Sequence, residues 1–97
     1  MNVERDETGA LVVRLEKEFT FNFREKFRKA YIDNPAGTRY VLDFGRVTYI
    51  DSSALGMLLL MHEHNGGGNT EIKLTNIQDR VRKILQVANF DRLFAIS

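Results

Sequence analysis

The chain has 97 residues, a length that predicts one domain, and it has no cysteine, which excludes disulfides, thiolate metal sites and thiol catalysis. Its 43% hydrophobic and 28% charged residues are typical of a globular protein rather than a disordered chain. A net charge of +1 argues against nucleic acid or an anionic membrane as the main partner.

The first predicted elements are a hairpin and a helix. Residues 2–6 and 10–15 are short strand candidates, and Gly9 lies in the turn between them. A helix is expected to begin at Asn22, because this side chain could cap the first turn together with Glu25, three residues later.

The middle of the chain predicts a buried strand followed by a second helix. The Asn-Pro-Ala-Gly segment at 34–37 should end the first helix and lead into a strand over 40–47. The Asp-Ser-Ser cluster at 51–53 is a strong helix cap, and the helix is expected to run to about His64. The glycine-rich segment 65–68 then closes it.

The last third of the sequence predicts a strand, a third helix and a short final strand. Alternation over 70–74 indicates the strand, and Thr75 or Asn76 is expected to cap the helix. Asn89 can adopt the left-handed conformation that stops this helix, and 93–96 is the final strand. The predicted apolar stripe of the helix consists of Ile77, Val81, Ile84, Leu85 and Ala88.

The predicted order β-β-α-β-α-β-α-β indicates an α/β fold in which helices cover a mostly parallel or mixed sheet, with residues 1–97 as one domain. The side chains expected to pack together in its core are Phe23, Phe27, Val41, Leu55, Leu59, Ile84 and Leu85.

Most patterns that could indicate catalysis or a bound cofactor fail on spacing. His62 and His64 point in different directions on a helix, so they cannot share a metal, and a partly exposed helix end is the simpler interpretation. The glycines at 66–68 follow a helix, and no Gly-Lys-Ser/Thr ends them as in a phosphate loop. We therefore expect no enzyme activity, no metal and no cofactor.

The sequence also predicts no membrane segment. The N-terminus lacks the apolar stretch of a signal peptide, and the longest apolar run, 54–61, is far shorter than the ~20 residues that a span needs. A cytoplasmic protein is the expectation.

The start of the second helix carries two adjacent hydroxyls, Ser52 and Ser53. Simple capping would explain them, although one such side chain is enough for a cap. The functional alternative is phosphorylation, because the free N–H groups and positive dipole end of a helix N-terminus tolerate a phosphate.

The same helix is more apolar than a surface helix needs to be. Residues 54–61 have no polar side chain, and at about 100° per residue they cover the whole circumference. The predicted inward side consists of Leu55, Leu58, Leu59 and His62. The predicted outward side consists of Ser52, Gly56, Leu60 and Glu63. Gly56, Leu60 and Met57 are therefore expected to form an exposed apolar patch that marks an interaction surface.

At these residues the chain resembles the STAS domain family, named for sulphate transporters and anti-sigma factor antagonists. The family's Asp-Ser-Ser/Thr-Gly-Leu-Gly signature opens a helix after a buried strand, and here it corresponds to Asp-Ser-Ser-Ala-Leu-Gly at 51–56. The family's phosphoacceptor is the first hydroxyl after the aspartate, which corresponds to Ser52. Thr20 stands where many members have an acidic residue before the first helix.

The resemblance implies a bacterial partner-switching regulator, an anti-sigma factor antagonist controlled by reversible phosphorylation of Ser52. The implied partners are an anti-sigma factor that is a serine protein kinase and a PP2C-type phosphatase, with the domain itself a monomer or weak dimer. The residues expected to contact a partner are Thr20, Asp51, Ser53, Gly56, Met57 and Leu60.

Two alternatives from other classes stay open. One is a STAS scaffold or oligomerisation module in a signalling complex, without phosphorylation. The other is a small-molecule or nucleotide-binding domain, which the resemblance permits but no phosphate loop supports.

Overall fold

The computed structural model describes residues 1–68 and 71–97, and its elements follow the predicted order with two short strands added. In chain order they are β1 (Asn2–Arg5), β2 (Leu11–Arg14), β3 (Glu18–Phe19), α1 (Arg24–Lys29), β4 (Tyr40–Asp43), β5 (Tyr49–Ile50), α2 (Ser52–His64), β6 (Ile72–Thr75), α3 (Asp79–Val87) and β7 (Ala95–Ile96). Single 3₁₀ turns precede α1 and β7, at Phe21–Phe23 and Phe90–Arg92. The strand predicted at 70–74 corresponds to β6, and Thr70 lies outside the described residues.

Five strands form one mixed sheet in the order β1-β2-β4-β6-β7. The first pair is antiparallel, and its turn contains Gly9 with a φ of 88°, a conformation that favours glycine. The other neighbours are parallel and therefore need crossover connections, which contain α1, α2 and α3. The predicted α/β sheet, mostly parallel and covered by helices, is confirmed.

A second, two-stranded sheet is absent from the sequence-based prediction. β3 and β5 pair in parallel, with Glu18 opposite Tyr49 and Phe19 opposite Ile50. Each strand has two residues, so neither shows the alternation by which a strand is recognised. This pairing holds the chain before α1 beside the chain before α2.

The helix α1 begins later than predicted. Phe23 takes its cap position without a side-chain hydrogen bond, and Asn22 lies inside the 3₁₀ turn, so the predicted Asn22–Glu25 cap is wrong. The Phe23 N–H donates to the Thr20 carbonyl at 2.9 Å, which winds the chain into this turn before the α-helix starts. The helix also ends early, at Lys29.

The predicted start of α3 is wrong and its predicted stop is confirmed. Neither Thr75 nor Asn76 caps α3, because Gln78 occupies the cap position. Asn76 adopts a φ of 57°, and its Nδ2 donates to Asp43 Oδ1 at 3.1 Å. Asn89 has the expected left-handed conformation, with a φ of 62°.

The core joins side chains of the sheet to those of all three α-helices. Its largest almost fully buried members are Val13, Leu15, Phe19, Phe27, Tyr40, Leu42, Phe44, Leu58, Met61, Ile72, Leu74 and Leu85. Among the predicted core residues, Phe27 and Leu85 are thus buried, whereas Phe23, Val41 and Leu55 are half-buried.

Two predicted core residues lie at the surface instead. Leu59 is 38% exposed and Ile84 is 39% exposed. α2 is rotated so that Leu58 and Met61 point into the core, which turns Leu59 outward. Ile84 lies on the flank of its helix, where Leu85 takes the buried position.

Candidate functional site

The pairing of β3 with β5 determines the geometry of the candidate site. Because the two strands are parallel, the residues that follow them leave the small sheet side by side. Thr20 and Phe21 follow β3, while Asp51 follows β5 and precedes α2. The Phe21 backbone N–H donates to Asp51 Oδ2 at 3.2 Å and joins the two segments.

Asp51 is the capping residue of α2. Its backbone is extended, and its Oδ1 accepts a hydrogen bond from the Ala54 N–H at 3.0 Å. The side chain thus adds an acceptor for an N–H group of the first turn, which also donates to the Asp51 backbone carbonyl at 3.1 Å. The carboxylate therefore holds the start of α2 with one oxygen and the Phe21 segment with the other.

The two serines differ in exposure. Ser52 is the first residue of α2 and is exposed, whereas Ser53 is half-buried. Asp51 already supplies the cap, and the Ser52 hydroxyl makes no hydrogen bond to any residue that the structure describes. The hydroxyl of Ser52 is accordingly accessible and has no structural role in the helix start.

The helix α2 buries one face although its sequence is apolar all round. The buried positions are Ala54, Met57, Leu58, Met61 and His62. The exposed positions are Ser52, Gly56, Leu59, Leu60 and Glu63. The predicted outward side is therefore observed with Leu59 added. Met57 was predicted within the exposed patch; it is only 8% exposed because it points towards the core.

An open depression of about 540 Å³ lies between α2 and the chain at the start of α1, and it is called the α1–α2 hollow here. Its walls are formed by Phe21, Arg24, Ser53, Gly56, Met57, Leu59, Leu60 and Glu63. Leu60 is 60% exposed and Phe21 is 51% exposed, so much of the wall is apolar and accessible. A Cβ at Gly56 would meet nothing within 4 Å, which leaves the helix backbone open to approach.

Phe21 and Arg24 belong to the hollow but were missed by sequence analysis. The Arg24 guanidinium lies 4.0 Å from the centre of the Phe21 ring, and its Nη1 donates to the Phe21 carbonyl at 3.2 Å. The contact places a cation at the edge of an apolar surface. No local sequence signal predicts this, because only the β3–β5 pairing brings Phe21 to α2.

Thr20 lies beside the site, but its side chain is buried. It is 8% exposed, and within the described part of the chain its hydroxyl has no hydrogen-bond partner. A protein partner can directly contact only side chains at the surface. The buried Thr20 side chain can therefore act only by holding the Phe21 segment in place.

The two histidines of α2 have separate surroundings. His62 is 7% exposed with its ring 5.5 Å from that of Phe94, so the expectation of a partly exposed position was wrong for it. His64 Nε2 lies 3.0 Å from the Asn34 carbonyl oxygen.

Within residues 1–68 and 71–97, no three potential metal ligands cluster together. Over the same ranges, no helix has the length and apolar character needed to cross a membrane.

Comparison with protein families gives a match to the model described as "Mlab, STAS domain" over residues 3–95. The chain belongs to this STAS family. A STAS-domain containing protein of Pseudomonas aeruginosa (strain UCBPP-PA14) is 48% identical over 89 residues, which cover 90% of this chain and 87% of that protein. The resemblance identified at residues 51–56 is confirmed.

Two solved structures share the fold of this STAS domain. The anti-sigma factor antagonist SpoIIAA in its unphosphorylated form superposes with a TM-score of 0.69 and 20% identity, over 99% of this chain and 86% of the other. The Bacillus cell fate determinant SpoIIAA in the phosphorylated form gives 0.68 and 20%, over 99% and 89%. The chain therefore shares the fold of these two structures.

Proposed function

We propose that this STAS domain is a cytoplasmic anti-sigma factor antagonist that switches partners when Ser52 is phosphorylated. The observation that carries the proposal is the position of Ser52, exposed at the first residue of α2 while Asp51 performs the capping. The shared fold with SpoIIAA, for which unphosphorylated and phosphorylated forms have been solved, supports control by the same modification.

In the unmodified state, the α1–α2 hollow is the docking surface for a serine kinase of the anti-sigma type. Leu60 and Phe21 offer apolar area that the fold itself does not use. Gly56 has no side chain and open space around it, so a backbone segment of the partner can approach α2 closely there. Docking at this surface would place the kinase beside the Ser52 hydroxyl.

Phosphorylation would change this surface without unfolding the domain. A phosphate adds about −1.5 to −2 charges, and the N-terminus of a helix accommodates negative charge. A docked partner would have to bury the dianion beside apolar side chains, which is costly unless a cation pairs with it. The partner therefore dissociates, and a PP2C-type phosphatase restores the first state. In this scheme the domain is a substrate and supplies no catalytic group.

The phosphoacceptor is tested by phosphopeptide mass spectrometry of the full chain purified from its own bacterium in the presence of phosphatase inhibitors. We expect one phosphate on Ser52, lost in Ser52→Ala and kept in the matched variant Ser53→Ala. A phosphate on Ser53 would overturn the assignment. A chain that carries no phosphate under any growth condition would favour the unphosphorylated scaffold.

The docking surface is tested by calorimetric titration of the kinase that modifies Ser52. Leu60→Glu and Gly56→Arg should each weaken binding about tenfold or more, since both put a large polar group into the hollow. Val3→Glu is the matched control, because Val3 is also exposed, at 43%, but lies on β1. Unchanged affinity of both hollow variants, with folding verified by circular dichroism, would exclude this surface.

A further inference from the structure

A second apolar depression, the α2–α3 groove, has a volume of about 560 Å³. It is lined by Leu55, Arg80, Lys83, Ile84, Val87 and Ala88. None of these residues lines the α1–α2 hollow. The groove is therefore a separate surface feature that the proposed phosphorylation switch does not use.

The helix α2 separates the two depressions. At about 100° per residue, Leu55 lies about 60° to one side of Ser52, and Gly56 lies about 40° to the other side. Leu59 falls close to the direction of Ser52 and is exposed. Ser52 and Leu59 thus form a ridge, with the hollow on one side and the groove on the other.

The apolar side chains of the groove are more exposed than the fold requires. Val87 is 78% exposed and Ile84 is 39% exposed, whereas Val81 and Leu85 bury the inner face of α3. An apolar surface of neighbouring exposed side chains generally marks an interaction site. Leu55, half-buried on α2, closes the opposite wall.

The charged side chains that line the groove are positive and lie on α3. Its two charged residues are Arg80 and Lys83, and neither forms an ion pair with any residue in the described ranges. Each stands one helical turn before an apolar residue of the groove, Ile84 and Val87 respectively. An occupant must therefore present apolar groups to the groove and negative charge to Arg80 and Lys83.

We propose that the α2–α3 groove docks an acidic amphipathic helix of a protein partner. Apolar side chains on one face of that helix would contact Ile84 and Val87, and its carboxylates would meet Arg80 and Lys83. A small anionic amphiphile fits less well, because small-molecule sites enclose most of their ligand and Val87 stands largely in solvent. The proposal does not depend on phosphorylation of Ser52.

The test uses the full chain and two synthetic helical peptides with the same leucine stripe, one with glutamates and one with lysines on the polar face. NMR chemical shifts of the ¹⁵N-labelled chain locate binding, and fluorescence anisotropy measures affinity. We expect the glutamate peptide to perturb α3 and to bind about tenfold tighter than the lysine peptide. The double variant Arg80→Glu/Lys83→Glu should reverse this preference, and it remains compatible with folding because both side chains are exposed and glutamate is a good helix former.

The apolar contact is tested with Val87→Gln, which should weaken binding of the glutamate peptide about tenfold. Leu60→Gln, at an exposed position in the α1–α2 hollow, is the control and should leave its affinity unchanged. Perturbations confined to the hollow, or equal binding of both peptides, would overturn the proposal. Chemical-shift changes in the groove caused by dodecanoate, but by neither peptide, would also overturn the proposal, since the occupant would then be a small amphiphile.

Discussion

The two faces of α2 have similar apolar residues and opposite environments. Leu58 and Met61 are fully buried, whereas Leu60 is 60% exposed and Leu59 is 38% exposed. Core side chains cover the first face, while the second opens onto the α1–α2 hollow. An apolar side chain on a helix is thus buried only if a neighbouring element covers it. Apolar area left over is available to a partner.

The largest expected effect tests the buried face. Leu58→Ala should lower the free energy of unfolding by about 2–5 kcal/mol, because it removes a fully buried side chain and leaves a cavity. Urea denaturation followed by circular dichroism measures this change. Leu60→Ala is the matched control and should stay within about 0.5 kcal/mol of the wild type. Similar losses for both variants would show that α2 is rotated differently.

The next-largest effect on stability is expected at the N-terminus of α2. Asp51→Ala should cost about 1 kcal/mol, because the Ala54 N–H loses its capping acceptor. Ser52→Ala should leave the unfolding free energy unchanged, since its hydroxyl makes no hydrogen bond to the described residues. Thermal melts of the two variants measure the difference. A larger loss for Ser52→Ala would make Ser52 the structural residue of the pair.

Leu59 lies between the two faces and should give an intermediate result. Its side chain is only partly covered, so Leu59→Ala should cost about 1 kcal/mol in urea denaturation. If a kinase docks in the α1–α2 hollow as proposed, the same variant should also weaken its binding, because Leu59 forms part of the wall of the hollow. A loss of stability as large as that of Leu58→Ala would place Leu59 in the core.

The smallest effect comes from the β1–β2 turn and provides a baseline remote from α2. The Thr8 hydroxyl donates to Asp6 Oδ1 at 2.7 Å, and this hydrogen bond, with those of the Thr8 and Ala10 N–H groups, lowers the pKa of Asp6. Because the folded pKa lies below the unfolded pKa, the stabilisation is present above the unfolded pKa and is lost as pH falls through the folded pKa.

Thr8→Val should therefore raise the pKa of Asp6 towards its usual value, as measured by NMR titration of the Asp6 carboxyl carbon. The resonances of α2 should keep their wild-type positions at neutral pH, since the substitution is confined to the turn. An unchanged pKa of Asp6 in Thr8→Val would show that the hydroxyl is not the main cause of the shift.

Features that depend on a few neighbouring residues could be predicted well from the sequence. The helix over 52–64 has the expected bounds, because Asp51 caps it and a glycine-rich segment follows it. Asn89 has the expected left-handed conformation. The order of helices and strands along the chain, apart from β3 and β5, and the family signature at 51–56 could also be predicted, since both are patterns in the linear chain.

Features that depend on distant neighbours could not be predicted. The pairing of β3 with β5 brings Phe21 to Asp51, thirty residues away, through strands too short to have a pattern of their own. The caps of α1 and α3 differ from prediction because the chain before each helix is held by other contacts, such as that of Asn76 with Asp43.

Local sequence patterns therefore predicted that α2 starts at the Asp-Ser-Ser cluster of 51–53 and ends near His64, and that this helix is more apolar than a surface helix needs to be. Which part of its apolar surface is free depends on packing against elements that are distant in the sequence. A helix that is apolar all round has no preferred inward side of its own, so its rotation follows from the elements packed against it. Those elements bury Leu58 and Met61 and leave Gly56, Leu59 and Leu60 exposed next to Ser52.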